Sequence, residues 1–165
     1  MPLELIRVDE RLLHGQVVVG WGQRLGLRWY VVADDELAGS AWEQDLYAGG
    51  LPEGVEAEFR PVDEAAADLE RLDARPEPGG LLLRGTAELR RMAEAGVLEG
   101  RRVNLGCLAA DPGRREVRPW LHLSEREAAD VRAAVRAGAE VGARDVPGSP
   151  RVPVREVLET VEEGR

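Results

Sequence analysis

The sequence predicts an α/β fold in which helices cover both faces of a mostly parallel sheet. Short apolar segments with the composition of strands alternate along all 165 residues with longer segments of helical spacing. The stretches between successive strands are long enough to hold a helix, which is the crossover that parallel strands require. No change in composition divides the chain, so the alternation favours a single α/β domain.

The strand predictions rest on short runs of apolar and β-branched residues. The clearest is the run RWYVVA, which leads into the acidic pair Asp34-Asp35. We expect strands, in order, at residues 3–8, 28–33, 55–62, 81–83, 102–105 and 138–146, and an extended segment at 117–121. The proline- and glycine-rich stretch 76–80 is predicted to be the loop before the fourth strand.

The helix predictions rest on apolar spacing together with capping residues. Gly26 and Gly96 stand where a C-terminal glycine would end a helix. Asp63 is predicted to cap one helix, and Ser124 with Glu127 forms the capping-box pattern of another. The expected helices are residues 17–25, 41–47, 63–72, 86–96, 125–137 and 154–162.

The composition argues against several classes of function. The net charge of −9 disfavours nucleic acid and anionic membranes as partners, because both need a basic face. A single cysteine, Cys107, excludes an internal disulfide and a cysteine-based zinc cluster, and it suits the cytoplasm. The charged N-terminus is unlike a signal peptide, and no run reaches the roughly 20 apolar residues of a spanning helix. We therefore expect a cytoplasmic protein that does not insert into a membrane.

Polar or glycine-containing segments follow several of the predicted strands. The segment 9–16 follows the first strand, Asp34 and Asp35 follow the second, Arg84 the fourth and Gly106 the fifth. Open parallel sheets place their sites at the carboxyl ends of strands, near a change in strand order. These segments are therefore candidates for one shared site, although a solvated turn and a surface ion pair are the simpler interpretations of the aspartates and Arg84.

The candidate with the most chemistry is His14, which stands between a strand and a helix in the string RVDERLLHGQVV. A helix N-terminus offers free N–H groups and partial positive charge to an anion. Arg7 and Arg11 add guanidinium groups that suit phosphate oxygens, and Gln16 can donate to one. Asp9 could accept a hydrogen bond from one imidazole nitrogen and leave the other as a nucleophile.

Spacing alone leaves the role of His14 open, because a helix cap or a hydrogen-bonded surface histidine is the more frequent outcome. The sequence holds no metal-ligand spacing around it, no G-x-S-x-G, no Walker motif and no G-x-G-x-x-G. We expect His122, which lies between two leucines, to be structural, and Trp21 to belong to the core. Cys107 has no basic neighbour in sequence, so we expect it to be unreactive.

A family resemblance changes this balance. The string RVDERLLHGQVVVGW resembles the signature of the IIB component of the mannose/fructose/sorbose family of the bacterial phosphoenolpyruvate:sugar phosphotransferase system (PTS). Weaker similarity follows in order in VVADDELA, LLLRGTAELRRMAEAGV, RRVNLGCLA and AEVGARDVPGSP, so the resemblance covers nearly the whole chain. It implies a three-layer α/β/α sandwich with a mainly parallel central sheet, and a single IIB domain over residues 1–165.

The same resemblance implies a site and its partners. His14 would carry a phosphoryl group on Nδ1, supported by the neighbouring motif residues Arg7, Asp9, Arg11, Gly15 and Gln16. Asp34, Asp35 and Arg84 would lie on the rim of the site. The donor would be a phosphorylated IIA component, and the acceptor would be a sugar held by the membrane components IIC and IID. The implied enzyme is a protein-N(π)-phosphohistidine–sugar phosphotransferase without metal or cofactor, held through IIC and IID at the cytoplasmic side of the inner membrane.

Three positions depart from the family pattern, and two other functions stay open. Val19 stands where a polar residue is common, Arg84 where a basic pair is common, and Cys107 in place of a glycine. A regulatory phosphoprotein, whose His14 phosphorylation is read by a partner without sugar transport, needs the same pocket. A small-molecule binding module without phosphorylation is the third hypothesis, and it leaves the cluster around His14 without a purpose.

Overall fold

The computed structural model describes residues 2–164, which form nine strands in two sheets. The strands are β1 (Leu3–Val8), β2 (Trp29–Ala33), β3 (Glu56–Arg60), β4 (Gly79–Leu83), β5 (Arg102–Leu105), β6 (Arg115–Arg118), β7 (Leu121–Leu123), β8 (Glu140–Ala143) and β9 (Val152–Pro153). The central sheet has the order β3-β2-β4-β1-β5-β8-β9, and β6 and β7 form a separate antiparallel pair. Within the central sheet only β9 runs antiparallel to its neighbour, which confirms the predicted mostly parallel sheet.

The helices follow the predicted alternation. A π-helical segment (Gln16–Trp21) continues into α1 (Gly22–Leu25), and the others are α2 (Asp35–Ala38), α3 (Ala41–Ala48), α4 (Val62–Ala67), α5 (Leu69–Asp73), α6 (Thr86–Glu94), α7 (Glu125–Arg136) and α8 (Val154–Glu163). Gly26 ends α1 with a positive φ of 66°, and the predicted capping box of Ser124 and Glu127 opens α7. No helix within residues 2–164 combines the length and the apolarity that crossing a membrane requires.

Two cores lie on the opposite faces of the sheet, as alternating strand residues require. One face of the strands, with Val31 and Leu83, packs against apolar residues of α4 to α8. The other face, with Tyr30 and Leu82, packs against the π-helical segment and α2. Strands β2 and β4 are buried along their whole length, as expected for strands covered on both faces. The predicted three-layer α/β/α sandwich is therefore confirmed.

Two local predictions were wrong and a third was only partly right. Gly79 and Gly80 belong to β4 rather than to a loop, because the Trp29 ring lies over Gly79 where a Cβ would be 2.0 Å from ring atoms. Asp63 makes no capping bond; the helix begins at Val62, and the Asp63 carboxylate pairs with a neighbouring arginine instead. The predicted extended segment 117–121 is extended only at its ends: residues 117–118 end β6, residue 121 begins β7, and residues 119–120 form the turn of this hairpin.

The topology creates a crevice at the carboxyl ends of β1 and β5. These strands are neighbours, yet the chain leaves β1 toward β2 on one side and leaves β5 toward β8 on the other. Adjacent connections that run in opposite directions leave room between them, which is where α/β proteins of this type bind ligands. The segment 9–15 lies at this point, because it leads from β1 into the π-helical segment.

Candidate functional site

The loop after β1 is tied to its neighbours at the crevice by its backbone. The Asp9 N–H donates to the Leu83 carbonyl at 2.9 Å, and the Glu10 N–H donates to the Cys107 carbonyl at 3.1 Å. Leu12 has a φ of 55°, the only positive value of a non-glycine residue among residues 2–164, and its side chain is fully buried. A buried leucine holds this unfavourable backbone in place, so the loop has a defined shape beneath His14.

Arg7 is completely buried and supports the loop from below. Its guanidinium donates to the Asp9 carboxylate through Nε and Nη2, to the Asn104 side chain through Nη1, and to the Arg144 and Asp145 carbonyls at 2.7 and 2.9 Å. These contacts use all five of its N–H groups. Arg7 is therefore a positioning residue and has no donor left for a phosphate, which refines the predicted supporting role.

Gly106 and Trp21 pack directly against the Arg7 guanidinium. Gly106 leaves room for the guanidinium, since a Cβ there would lie 2.4 Å from the Arg7 Cζ. The Trp21 ring lies 5.4 Å from the same carbon, a cation–π contact, and its Nε1 donates to the Asp145 carbonyl at 2.8 Å. The predicted burial of Trp21 is confirmed.

Asp9 is the fully buried centre of the site. Its Oδ2 accepts from Arg7 and from His14 Nε2 at 3.1 Å, and its Oδ1 accepts from the Arg11 backbone N–H at 3.0 Å. Burial by itself would raise the pKa of Asp9, but the hydrogen bond from His14, the charge of Arg7 and the Arg11 N–H outweigh it and lower the pKa. Asp9 is consequently a fixed carboxylate at neutral pH.

The bond to Asp9 determines which imidazole nitrogen of His14 is free. A carboxylate can only accept, so His14 Nε2 carries a hydrogen, and in the neutral imidazole the lone pair is therefore on Nδ1. Among residues 2–164, no side chain or backbone group hydrogen-bonds to Nδ1, and 16 % of the side chain is exposed. The arrangement provides an oriented, accessible nitrogen nucleophile beside a buried anion.

Donors for an anion gather beside this nitrogen. The first helical hydrogen bonds run from the Val17 and Val18 N–H groups to the His14 carbonyl, so the N–H groups of Gly15 and Gln16 precede the helical ladder. Arg11 is 42 % exposed and donates through Nη2 to the Gln16 side-chain oxygen at 2.6 Å. In contrast to Arg7, it keeps other N–H groups for a ligand.

A cleft of about 510 Å³ opens next to His14. Its other wall is α3 and the loop after it, which contribute Trp42, Glu43, Leu46 and Tyr47. The sequence prediction missed this wall entirely. The sequence shows only that Trp42 and Leu46, four residues apart, share one face of the predicted helix 41–47, and it does not show that this face lies opposite His14.

The predicted rim residues lie at the same edge of the sheet, where Asp34 and Arg84 pair with each other and Asp35 contacts different residues. Asp34 caps α2 through the Glu36 and Leu37 N–H groups and pairs with Arg84. Asp35 accepts from the Val62 backbone and from Arg91. None of the three predicted rim residues lines the His14 cleft. Their part in the site therefore stays a prediction.

The remaining candidates have separate environments. His122 is buried on β7 and bonds through Nδ1 to the Leu108 carbonyl at 3.2 Å, with Nε2 3.5 Å from a Glu116 carboxylate oxygen. Cys107 lies at the end of β5, and burial raises the pKa of its thiol despite the nearby Arg11. Neither residue has the open nitrogen or the free donors that surround His14.

These features define a class: an α/β protein with a histidine beside a buried carboxylate at the switch point of a parallel sheet. The family model of the PTS system sorbose subfamily IIB component matches residues 3–164. The chain therefore belongs to this family, whose members accept a phosphoryl group from IIA and transfer it to sugar. Among solved structures, the IIBSor domain of the sorbose permease from Klebsiella pneumoniae has a TM-score of 0.84 at 22% identity, over 97% of this chain and 98% of that one.

Relatives with named sugars are similar over nearly all of this chain. The N-acetylgalactosamine-specific phosphotransferase enzyme IIB component 2 of Escherichia coli (strain K12) is 28% identical over 96% of this chain and all of its own length. The structure of manxB from Thermoanaerobacter tengcongensis has a TM-score of 0.83 at 26% identity, covering 95% of each chain. The mannose-specific EIIAB component of E. coli (strain K12) is 26% identical over 98% of this chain, which spans about half the length of that relative.

Proposed function

We propose that this chain is a phosphohistidine carrier that accepts a phosphoryl group from a phosphorylated IIA component on His14 Nδ1. The observation that carries the proposal is the hydrogen bond from His14 Nε2 to Asp9, which in the neutral imidazole places the lone pair on Nδ1, beside an open cleft. In the accepting step, the Nδ1 lone pair forms a bond to phosphorus while the donor's P–N bond breaks. The donor imidazole keeps the electron pair of that broken bond.

Asp9 supplies the electrostatic part of this step. When Nδ1 bonds to phosphorus while Nε2 keeps its hydrogen, the ring gains a positive charge. The buried carboxylate 3.1 Å from Nε2 stabilises that charge, and its lowered pKa keeps it ionised. When the phosphoryl group leaves, the ring returns to neutral imidazole with the same tautomer, so the site is ready for another cycle.

The phosphate oxygens need donors that the resting site does not already use. Arg11 and the N–H groups of Gly15 and Gln16 have this character, and the Gln16 amide is positioned by its bond to Arg11. We assign Arg11, Gly15 and Gln16 to phosphate binding and Arg7 and Asp9 to positioning. Asp34 and Arg84, which form an ion pair, and Asp35, which pairs with Arg91, would act indirectly, by supporting the edge of the sheet next to the His14 loop.

The second step passes the phosphoryl group to a sugar presented by the membrane components IIC and IID. A sugar hydroxyl oxygen bonds to phosphorus, the P–N bond breaks, its electron pair returns to Nδ1, and the hydroxyl proton is lost to water. We propose that the chain works in the cytoplasm at the inner membrane, where IIC and IID hold it. The relatives name different sugars, mannose and N-acetylgalactosamine among them, so the proposal assigns no particular sugar.

The test is phosphorylation of the purified chain by phosphoenolpyruvate, Enzyme I, HPr and IIA, followed by intact-mass measurement. Wild type and His122→Ala should gain one acid-labile phosphate, and His14→Ala should gain none. A His14→Ala chain that gains acid-labile phosphate at the wild-type rate would overturn the assignment. Addition of vesicles with IIC and IID then separates transport from regulation, since only a transport component loses its phosphate to sugar.

A further inference from the structure

Three of the four large hydrophobic side chains that are exposed among residues 2–164 line the His14 cleft. They are Val19, Trp42 and Leu46, with 53%, 67% and 68% of their surface exposed, and we call them the Trp42 face. None of the three belongs to the buried core, and α3, which carries Trp42 and Leu46, buries none of its residues. Clustered apolar side chains beside a reactive group mark a contact surface rather than scattered surface residues.

The charge around the Trp42 face has one sign. The segment from residue 29 to residue 59, which includes α3, holds eight carboxylates and no basic residue. Glu43 lines the cleft itself, and Asp45 and Glu53 are exposed nearby in sequence. Phosphorylation of His14 would add an anionic phosphoryl group at the edge of the same face. A partner that fits this surface is apolar at its centre and basic at its rim.

We propose that the Trp42 face docks the cytoplasmic loops of the membrane component that receives the phosphoryl group. The inference rests on the function proposed above and names the surface that this function uses. Cytoplasmic loops of polytopic membrane proteins are enriched in Lys and Arg, which complements the acidic rim. Trp42 is the central anchor, since exposed tryptophans at such contacts contribute most of the affinity.

The alternatives fit the charge less well. The donor component approaches with an anionic phosphohistidine, which the acidic rim repels. A second copy of this chain would place two acidic rims against each other. Of these partners, only the membrane component binds the chain while His14 carries phosphate, which is when the site is most negatively charged. Discharge removes that charge, so docking weakens once the sugar has received its phosphate and the carrier is released.

The experiment measures co-sedimentation of the phosphorylated chain with inverted membrane vesicles that hold IIC and IID of the same organism. Vesicles without these proteins give the background. Trp42→Ala and Leu46→Ala are compared with Val135→Ala, which removes the remaining exposed hydrophobic residue, on α7. We expect Trp42→Ala to weaken sedimentation at least tenfold, Leu46→Ala to act in the same direction and Val135→Ala to have no effect. Phosphorylation by IIA, followed by intact mass, should stay at the wild-type rate in all three.

Charge and phosphorylation provide a second measurement on the same vesicles. Wild-type binding should fall as salt rises and should be stronger for the phosphorylated than for the unphosphorylated chain. Glu43→Gln combined with Asp45→Asn should reduce that salt dependence, while phosphorylation by IIA should be at least as fast as in wild type because the repulsion of the anionic donor is weaker. Circular dichroism confirms that each variant is folded.

Each outcome decides the question. If wild type gains no phosphate, the proposed function fails and this inference fails with it. If wild type is phosphorylated and Trp42→Ala sediments normally, the docking surface alone is wrong. If Trp42→Ala slows phosphorylation by IIA but leaves sedimentation intact, the face belongs to the donor. If sedimentation velocity shows a wild-type dimer that Trp42→Ala dissociates, the occupant is a second copy.

Discussion

The substitution Asp9→Asn tests the electrostatic centre of the site. In the native chain both carboxylate oxygens of Asp9 accept: Oδ2 from Arg7 and His14, and Oδ1 from the Arg11 backbone. Asparagine has only one accepting oxygen, and its NH₂ group must occupy the other position. In either orientation an amide N–H therefore faces another N–H in a fully buried place.

The expected losses follow from these contacts. The buried Arg7 cation loses its counter-ion, which typically costs about 3–5 kcal/mol of the free energy of unfolding. The developing charge on the His14 ring loses a charge-assisted hydrogen bond worth about 1.5–3 kcal/mol. At about 1.4 kcal/mol per factor of ten, phosphoryl acceptance should slow roughly 10- to 150-fold in chains that remain folded.

Urea unfolding measures the first effect, and rapid-quench phosphorylation by IIA at a temperature where the variant is folded measures the second. Arg7→Met combined with Asp9→Asn serves as the control for the buried charge. Its loss of stability should be smaller than the sum of the two single losses, while phosphorylation stays slow. Wild-type phosphorylation kinetics in folded Asp9→Asn would refute the role assigned to the carboxylate.

Acid unfolding gives an independent check on Asp9. Its pKa is lower in the folded chain than the ordinary value of 3.8, so the folded state binds the proton less readily than the unfolded state. Asp9 therefore stabilises the fold above about pH 4, and this contribution is lost as the pH falls through the lower folded pKa. The difference in unfolding free energy between wild type and Asp9→Asn should shrink below pH 4, and a constant difference would contradict the assignment.

Three further predictions concern the surroundings of His14. Arg11→Ala should slow phosphoryl acceptance by about 10- to 150-fold, because it loses a charge-assisted phosphate contact of about 1.5–3 kcal/mol. The control Arg24→Ala, which removes an exposed arginine, should leave the rapid-quench kinetics unchanged. Equal rates for both variants would remove Arg11 from the site. Gly106→Ala should lower the free energy of unfolding in urea by about 1–3 kcal/mol, because its Cβ would lie 2.4 Å from the Arg7 guanidinium. An unchanged midpoint of urea unfolding would show that Arg7 moves freely. Cys107→Ala should accept phosphate normally. Because burial raises the pKa of the Cys107 thiol, iodoacetamide should alkylate the wild-type chain only slowly at pH 7, as followed by mass spectrometry. Fast alkylation would contradict this prediction.

The local sequence determined most of the elements. The burial of β2, the glycine that ends α1 and the capping box of α7 depend on neighbouring residues, and each was predictable from them. The string around His14 also gathered the histidine, its carboxylate and Arg11 within one loop. A loop of seven residues between a strand and a helix keeps its side chains close together whatever the rest of the chain does.

Only the tertiary structure determined which of these side chains are already fully hydrogen-bonded and which can bind a ligand. Arg7 and Arg11 look equivalent in sequence, but contacts from Asn104, Arg144 and Asp145, about a hundred residues away or more, occupy Arg7 and leave Arg11 open. The glycines of β4 were misread because the ring that covers Gly79 comes from β2. The cleft wall at Trp42 was missed for the same reason. Its position opposite His14 follows from the packing of α3 across the sheet, and no local pattern records contacts between segments that are distant along the chain.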